Sequence, residues 1–254
     1  MSAERTKLYL LDIEGTVAPI SFVTETLFPY ARRHLARFLH VHAKDPAVLD
    51  DLRLLAEENR AETTEGCPTL GVEIGDELHA FYYVSWLMDR DRKSTALKSM
   101  QGKIWKAGYE RGELRSVIYD DVPEAFARWS RKAGIAIYSS GSADAQGLFF
   151  RYSNHGDITP MISGYFDTRT GPKESSASYA AIAGAMKLAP EEVLFFSDAV
   201  IELDAAREAG CGTRLVVRPG NAPVESAHGH AMIRSFHEAR EDDHASGEKE
   251  AGGL

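Results

Sequence analysis

The sequence predicts an α/β protein: a parallel sheet interrupted after its first strand by an all-helical insert. Three observations predict it. Short apolar runs at 8–11, 135–138, 193–196 and 215–217 have the length and composition of buried strands. Helical stretches separate the last three, as in βαβ units. The first run is parted from them by residues 24–114, where apolar residues recur at helical spacing and no strand pattern interrupts.

Taken in order, the chain opens with Lys7-Leu8-Tyr9-Leu10-Leu11-Asp12. This run stops at a carboxylate and then at Gly15, the pattern of a buried strand ending in a functional loop. Leu35, Phe38 and Leu39, then Val48, Leu52 and Leu55, then Leu78, Phe81, Tyr82, Trp86 and Leu87 mark about four helices. From Val117 the strand–helix alternation begins. Pro123 opens a helix that Gly134 closes, and further helices cover 143–152, 175–186 and 201–209. The expected organisation is a core of 1–20 and 117–236, a helical cap of 21–116, and an acidic, disordered tail of 237–254.

The chain has 254 residues, 44% of them apolar and 26% charged, as in an ordinary globular protein. Its net charge is −9, and the tail, with six acids and two bases, holds −4 of it. That balance argues against nucleic acid and anionic membrane as partners. Two cysteines, Cys67 and Cys211, make no disulfide framework, so reduced thiols and a cytoplasmic location are expected. No apolar run approaches the ~20 residues of a membrane span. The nine histidines are scattered and form no zinc-like spacing.

Ligands of parallel α/β sheets bind outside the carboxyl ends of the strands. Here those ends carry Asp12-Ile-Glu14-Gly-Thr16, Ser139-Ser140-Gly-Ser142 and Ser197-Asp198, with Glu202 and Asp204 beyond; Gly171-Pro-Lys173 precedes the third run. A lone Asp12 would read as an N-cap. Together with Lys173 and Asp198 it reads as a nucleophile that takes up a phosphoryl group. Asp198 could also cap a helix; its pairing with Asp12 suggests a magnesium site, since hard cations take oxygen ligands. Ser139 and Ser140 are equally turn formers or donors to phosphate oxygens at a helix N-terminus. Lys173 is either a solvated charge or the neutralising group over the pocket.

These residues together resemble the haloacid dehalogenase-like phosphatases. The family's Asp-x-Asp-x-Thr motif is matched from Asp12 to Thr16 with Glu14 at the second acid. Its Ser/Thr motif is matched by Ser139, its Lys motif by Lys173, and its acidic motif by Asp198 with Glu202. A closer resemblance is to the enolase-phosphatases of methionine salvage. It is carried by Ile20-Ser-Phe-Val23, Leu27-Phe-Pro-Tyr30, Gln101-Gly-x-Ile104-Trp105, Gly108-Tyr109, Tyr138-Ser-Ser-Gly-Ser142, Gly164-x-Phe166-Asp167-Thr168 and Val217-Arg-Pro-Gly-Asn221, over about residues 7–221. One departure is Ala199, where the family pattern has Val.

The resemblance implies a Rossmann-like core and a cap, one Mg2+ per subunit, a small phosphorylated metabolite as partner, and a monomer. It implies a bifunctional enzyme that enolises 2,3-diketo-5-methylthiopentyl 1-phosphate and then dephosphorylates the enol to the acireductone 1,2-dihydroxy-3-keto-5-methylthiopentene. Asp12 and Glu14 would be catalytic, Asp12, Glu14 and Asp198 would bind metal, and Ser139, Ser140 and Lys173 would bind substrate. The cap is expected to close over the pocket, with Phe81, Tyr82, Tyr83, Trp86 and Trp105 either lining a slot for the methylthio group or forming the cap's own core. Three other readings remain at this point: a phosphatase for another small phosphoester, a metal-independent dehalogenase, and a non-catalytic binding protein on the same fold. Glu14 and Asp198 argue against the second, and retention of Asp12, Lys173 and Asp198 against the third.

Overall fold

A computed structural model describes residues 6–70, 77–90, 92 and 94–239. The chain divides into two compact units, 1–22 with 115–254, and 23–114.

The first unit is built on a six-stranded parallel sheet. Its strands are β1 (Leu8–Leu11), β2 (Gly134–Tyr138), β3 (Gly164–Phe166), β4 (Val193–Ser197), β5 (Gly212–Val216) and β6 (Ala231–Ile233), in the order β3-β2-β1-β4-β5-β6. Every residue of β1 is buried, as a central strand covered on both faces must be. Its side chains alternate between the faces. Leu8 and Leu10 join Tyr138, Phe195 and the helices α7 (Ser176–Ala185) and α8 (Val200–Glu208) on one side. On the other side Tyr9 stacks on Trp129 at 4.4 Å, at the end of α5 (Asp121–Trp129), and Phe126 of α5 meets Phe150 of α6 (Ala143–Arg151). The result is three layers, helices on both faces of the sheet.

Among the described residues six strands replace the four expected. β3 and β6 are three residues each and neither is fully buried, so neither has the length and cover of the expected strands. β5 begins at Gly212, before its apolar part. α5 begins at Asp121, two residues before Pro123, and stops at Trp129, while Gly134 starts β2 instead of closing the helix.

Among the described residues the second unit holds four helices: α1 (Phe28–His42), α2 (Pro46–Ala61), α3 (Glu77–Asp89) and α4 (Thr95–Glu110); a π-helical turn, Phe22–Leu27, precedes α1 in the chain. Leu35, Leu39, Val48, Leu55, Val84, Leu87, Leu97 and Ile104 are buried in it, as the helical spacing requires. Ser94 caps α4, accepting from the Leu97 N–H at 3.0 Å. Tyr83 and Trp86 are buried, Tyr82 is exposed, and the Trp105 indole donates to the Leu27 carbonyl at 2.9 Å. Of the acidic tail, Ala239 is buried and Arg128 donates to the Phe236 and Ala239 carbonyls. The rest of that segment, from 240, lies outside the described residues.

Candidate active site

The strand order reverses between β1 and β4, and that switch point is where open α/β sheets bind ligands. Asp12 follows β1, and Ser197-Asp198 closes β4, so the two edges of the crevice each present a carboxylate. The ladder places them: the Asp12 N–H donates to the Phe196 carbonyl at 3.0 Å.

Lys173 joins the crevice from the loop before α7. Its Nζ lies 2.6 Å from Asp12 Oδ1 and 2.7 Å from Glu202 Oε2. The loop is anchored by three hydroxyls: Tyr138 donates to the Gly171 carbonyl, Ser178 to Pro172 and Tyr179 to Lys173, at 2.7–2.9 Å. Gly171 has φ +144 and a side chain there would strike Ser178, so glycine is required. Glu202 is held in turn by the Ser197 hydroxyl at 2.8 Å.

Three carboxylates, Asp12, Asp198 and Glu202, thus gather around one lysine. Burial raises the Asp198 carboxyl to about 7, and the charges of Asp12 and Glu202 add to the effect against a partial offset from Lys173. Glu202 is also raised, by burial and then by Asp12. For Lys173 burial acts downward, yet Asp12 and Glu202 outweigh it and its pKa is raised. All three groups are shifted toward keeping a proton, the two carboxyls first by burial and then by neighbouring negative charge, the lysine by that charge against burial.

The turn after β1 brings further polar atoms. Gly15 has φ +70, and a Cβ there would run into the Asp198 carboxylate. The Val17 and Ala18 N–H groups donate to the Ile13 carbonyl and close the turn. Glu14 is half-buried on it. Ser139 is buried after β2, its N–H on the Phe166 carbonyl at 3.2 Å, while Ser140 is exposed. Gln146 pins that turn by donating to the Gly141 and Phe166 carbonyls, both at 2.8 Å. Asp167 supports it by accepting from the Ala143 N–H at 3.2 Å.

The structure therefore brings Asp12 and Lys173 into contact and places the Asp198 carboxylate beside Gly15. It adds Glu202 to the cluster through Lys173, a link that spacing alone does not reveal. Asp204 is turned elsewhere, toward His228 at 2.7 Å and His230 at 3.0 Å. Sequence reasoning also missed Gln146 and Asp167 as supports. Their signal, the polar residues of the motif around Asp167 and of the helix after Ser142, is legible only once the strands are paired.

Among the described residues no group of three or more His, Cys, Asp or Glu side chains is placed to hold a metal ion. Magnesium needs none: one or two carboxylates, with water and substrate phosphate, suffice. Buried Asp12 and half-buried Asp198 and Glu202 outnumber the one lysine, and such an excess of carboxylate fits a cation.

Comparison with known proteins decides the family. The sequence pattern of the haloacid dehalogenase-like hydrolases matches residues 6–210. The chain belongs to that family. Within it, the chain is 53% identical to an enolase-phosphatase E1 of Synechococcus elongatus over 85% of its own length and 90% of that protein's. It is 44% identical to the enolase-phosphatase E1 of Pseudomonas aeruginosa, over 91% and 96% of the two chains. It therefore also belongs with the enolase-phosphatases. A Physcomitrium patens protein named as a bifunctional methylthioribulose-1-phosphate dehydratase/enolase-phosphatase E1 is 42% identical over 90% of this chain and 47% of its own. The crystal structure of the UTR4 protein of Saccharomyces cerevisiae superposes with a TM-score of 0.76 at 36% identity, covering 92% of this chain and 99% of that one.

Proposed function

We infer that this haloacid dehalogenase-like hydrolase is a bifunctional enolase-phosphatase of methionine salvage. It enolises 2,3-diketo-5-methylthiopentyl 1-phosphate and removes the phosphate, releasing the acireductone 1,2-dihydroxy-3-keto-5-methylthiopentene. The observation that carries the reading is the Asp12–Lys173 contact at the β1/β4 switch point in a chain this similar to enolase-phosphatases. The Physcomitrium patens relative supports the substrate: removal of water from a methylthioribulose 1-phosphate leaves this diketo phosphate.

The placement of these residues supports the following roles. Asp12 attacks phosphorus in line with the ester oxygen; the new O–P bond forms as the old one breaks. Lys173, 2.6 Å away, fixes that carboxylate and faces the phosphoryl charge. Glu14 on the same turn gives its proton to the departing oxygen. It then takes one from the water that frees inorganic phosphate and restores Asp12. Glu14 is also the candidate for the base that starts enolisation, its extra methylene over aspartate carrying the carboxylate to a different point. Ser139 and Ser140 hold substrate oxygens at the start of α6. Asp12, Asp198 and the Glu14 residue would hold one magnesium ion. When bound, it supplies charge neutralisation at the phosphoryl oxygens and polarises the substrate carbonyls.

Among the described residues no helix is long and apolar enough to cross a membrane, and both cysteines are free thiols. We take the enzyme to be cytoplasmic and monomeric. Phosphate release from the diketo phosphate, against a panel of sugar phosphates, with and without magnesium, tests the reading; ultraviolet absorbance follows the enol. Magnesium-dependent preference for the diketo compound is expected. Poor turnover of it relative to the sugar phosphates would sink the assignment. Glu14→Asp should change the ratio of enolisation to phosphate release.

A further inference from the structure

The loop after β5 grips the loop after β1 by two carbonyls. Arg218 Nε donates to the Thr16 carbonyl at 3.1 Å. Asn221 Nδ2 donates to the Gly15 carbonyl at 2.9 Å and to the Val216 carbonyl at 3.4 Å. Two carbonyl oxygens can be satisfied only by the nitrogen end of the amide, so the orientation of Asn221 is fixed by its partners.

The oxygen end is then the notable one. Asn221 Oδ1 is shielded from solvent and has no hydrogen-bond partner. Buried acceptors in that condition are few in native proteins, and each calls for a ligand, a water or an ion. Its position says which. A Cβ built on Gly15 would meet the Asp198 carboxylate and also Asn221 Oδ1, the latter at 3.1 Å. The orphaned amide oxygen and the carboxylate therefore converge on the same side of Gly15. A group that satisfies both must offer a hydrogen to the amide oxygen and a hydrogen or a positive charge to the carboxylate. A hydrated cation does both, because magnesium keeps several of its waters and their hydrogens need acceptors.

We propose that Asn221 is a positioning residue of the metal site: its Oδ1 accepts a hydrogen from a water of the cation bound at Asp198, while its Nδ2 holds the loop that carries Asp12. This rests on the reading that Asp12 and Asp198 hold magnesium. It gives a task to the Val217-Arg-Pro-Gly-Asn221 segment, which the phosphoryl-transfer roles leave unused. One side chain then ties the geometry of the Asp12 loop to occupancy of the metal position.

The test is calorimetric titration of magnesium into the substrate-free full chain, for the wild type, Asn221→Ala, Arg218→Lys and Asp198→Ala. Asn221→Ala should weaken magnesium by about 10- to 100-fold, the usual effect of losing an outer partner of a metal site. Raising magnesium should restore most of its phosphatase activity. Arg218→Lys frees the neighbouring carbonyl of the same loop without touching Oδ1 and should weaken magnesium far less. Melting in chelator confirms that each variant folds; if Asn221→Ala does not, Asn221→Ser is read in the same way. Unchanged magnesium affinity in a folded Asn221 variant overturns the proposal while leaving the metal reading intact, provided Asp198→Ala abolishes binding. Equal weakening by Arg218→Lys overturns the role of Oδ1. A wild type that binds no magnesium overturns both the proposal and the metal reading.

Discussion

The two units of the molecule treat buried charge differently. In the helical unit the buried carboxylate of Asp51 is matched one for one, by Lys103 at 2.6 Å, and Lys103 also donates to Ser99. Other pairs there, such as Arg53–Asp50 and Lys106–Glu110, lie on the surface. The α/β unit has pairs of the same balanced kind, Arg169–Asp167 and, more deeply buried, Arg218–Asp121. Arg218 holds Asp121 by two bonds of 2.8 and 3.0 Å, sandwiched between the rings of Tyr119 and Phe236. At the strand ends of that same unit the balance fails, with Asp12, Asp198 and Glu202 around Lys173. Desolvated like charges cost stability. Matched pairs are what folding alone would keep; the unmatched cluster marks where the chain is shaped for something it binds.

Substitutions break that contrast from either side. The largest effect is on chemistry. Asp12→Asn should lower phosphate release by at least about a thousandfold, since the nucleophile is gone while the fold remains; a stopped assay at saturating magnesium measures it. Next comes the balanced pair. Asp121→Asn leaves the Arg218 guanidinium buried and half-paired, and urea unfolding should show a loss of about 3–5 kcal/mol. Burial alone would raise the Asp121 carboxyl. Hydrogen bonds from Arg218, the Phe236 N–H and Ser235 outweigh it and hold the carboxyl below its usual range. Its contribution is therefore complete above about pH 4 and fades as pH falls through the lowered folded value. The Asn variant should show a flatter acid limb in stability against pH.

The unbalanced cluster should respond with the opposite sign. Asp198→Asn removes one of the crowded carboxylates, so the metal-free protein at neutral pH should gain about 1 kcal/mol while losing activity. A lower melting temperature in chelator would contradict the account of unmatched charge. A comparably small effect is expected in the helical unit. Lys103→Met leaves the Asp51 carboxylate unpaired but near the partly exposed Lys103 site, where water can reach it, and should cost about 1–2 kcal/mol by the same urea measurement.

The legible parts of the sequence were those where one residue's own neighbours carry the signal. β1, β2 and β4 are continuous apolar runs because both faces are covered, and the carboxylate or serine that ends each run announces the ligand side of the sheet. β3 and β6 escaped notice because at three residues, with Ile233 alone of them buried, they are strands only by virtue of their pairing partners. The site divides along the same line. Asp12, Ser139, Lys173 and Asp198 stand at strand ends or beside a Gly-Pro turn and could be picked out locally. The attachment of Glu202 to Lys173 and of Asn221 to Gly15 depends on which strands lie side by side, and no local pattern encodes that.

The position of β1 also sets the order in which the molecule can be made. Leu8 pairs with Gly134 on one side and Val193 on the other, so the central strand is synthesised first and finds its neighbours last. The helical unit, complete by Leu114 and built from contacts between nearby helices, can fold while the rest of the chain is still on the ribosome. By folding, it draws the two ends of its segment out of a random coil and shortens the effective loop that β1 must close to reach β2. An insertion that would seem to burden the sheet thus becomes the part that lets its middle strand wait.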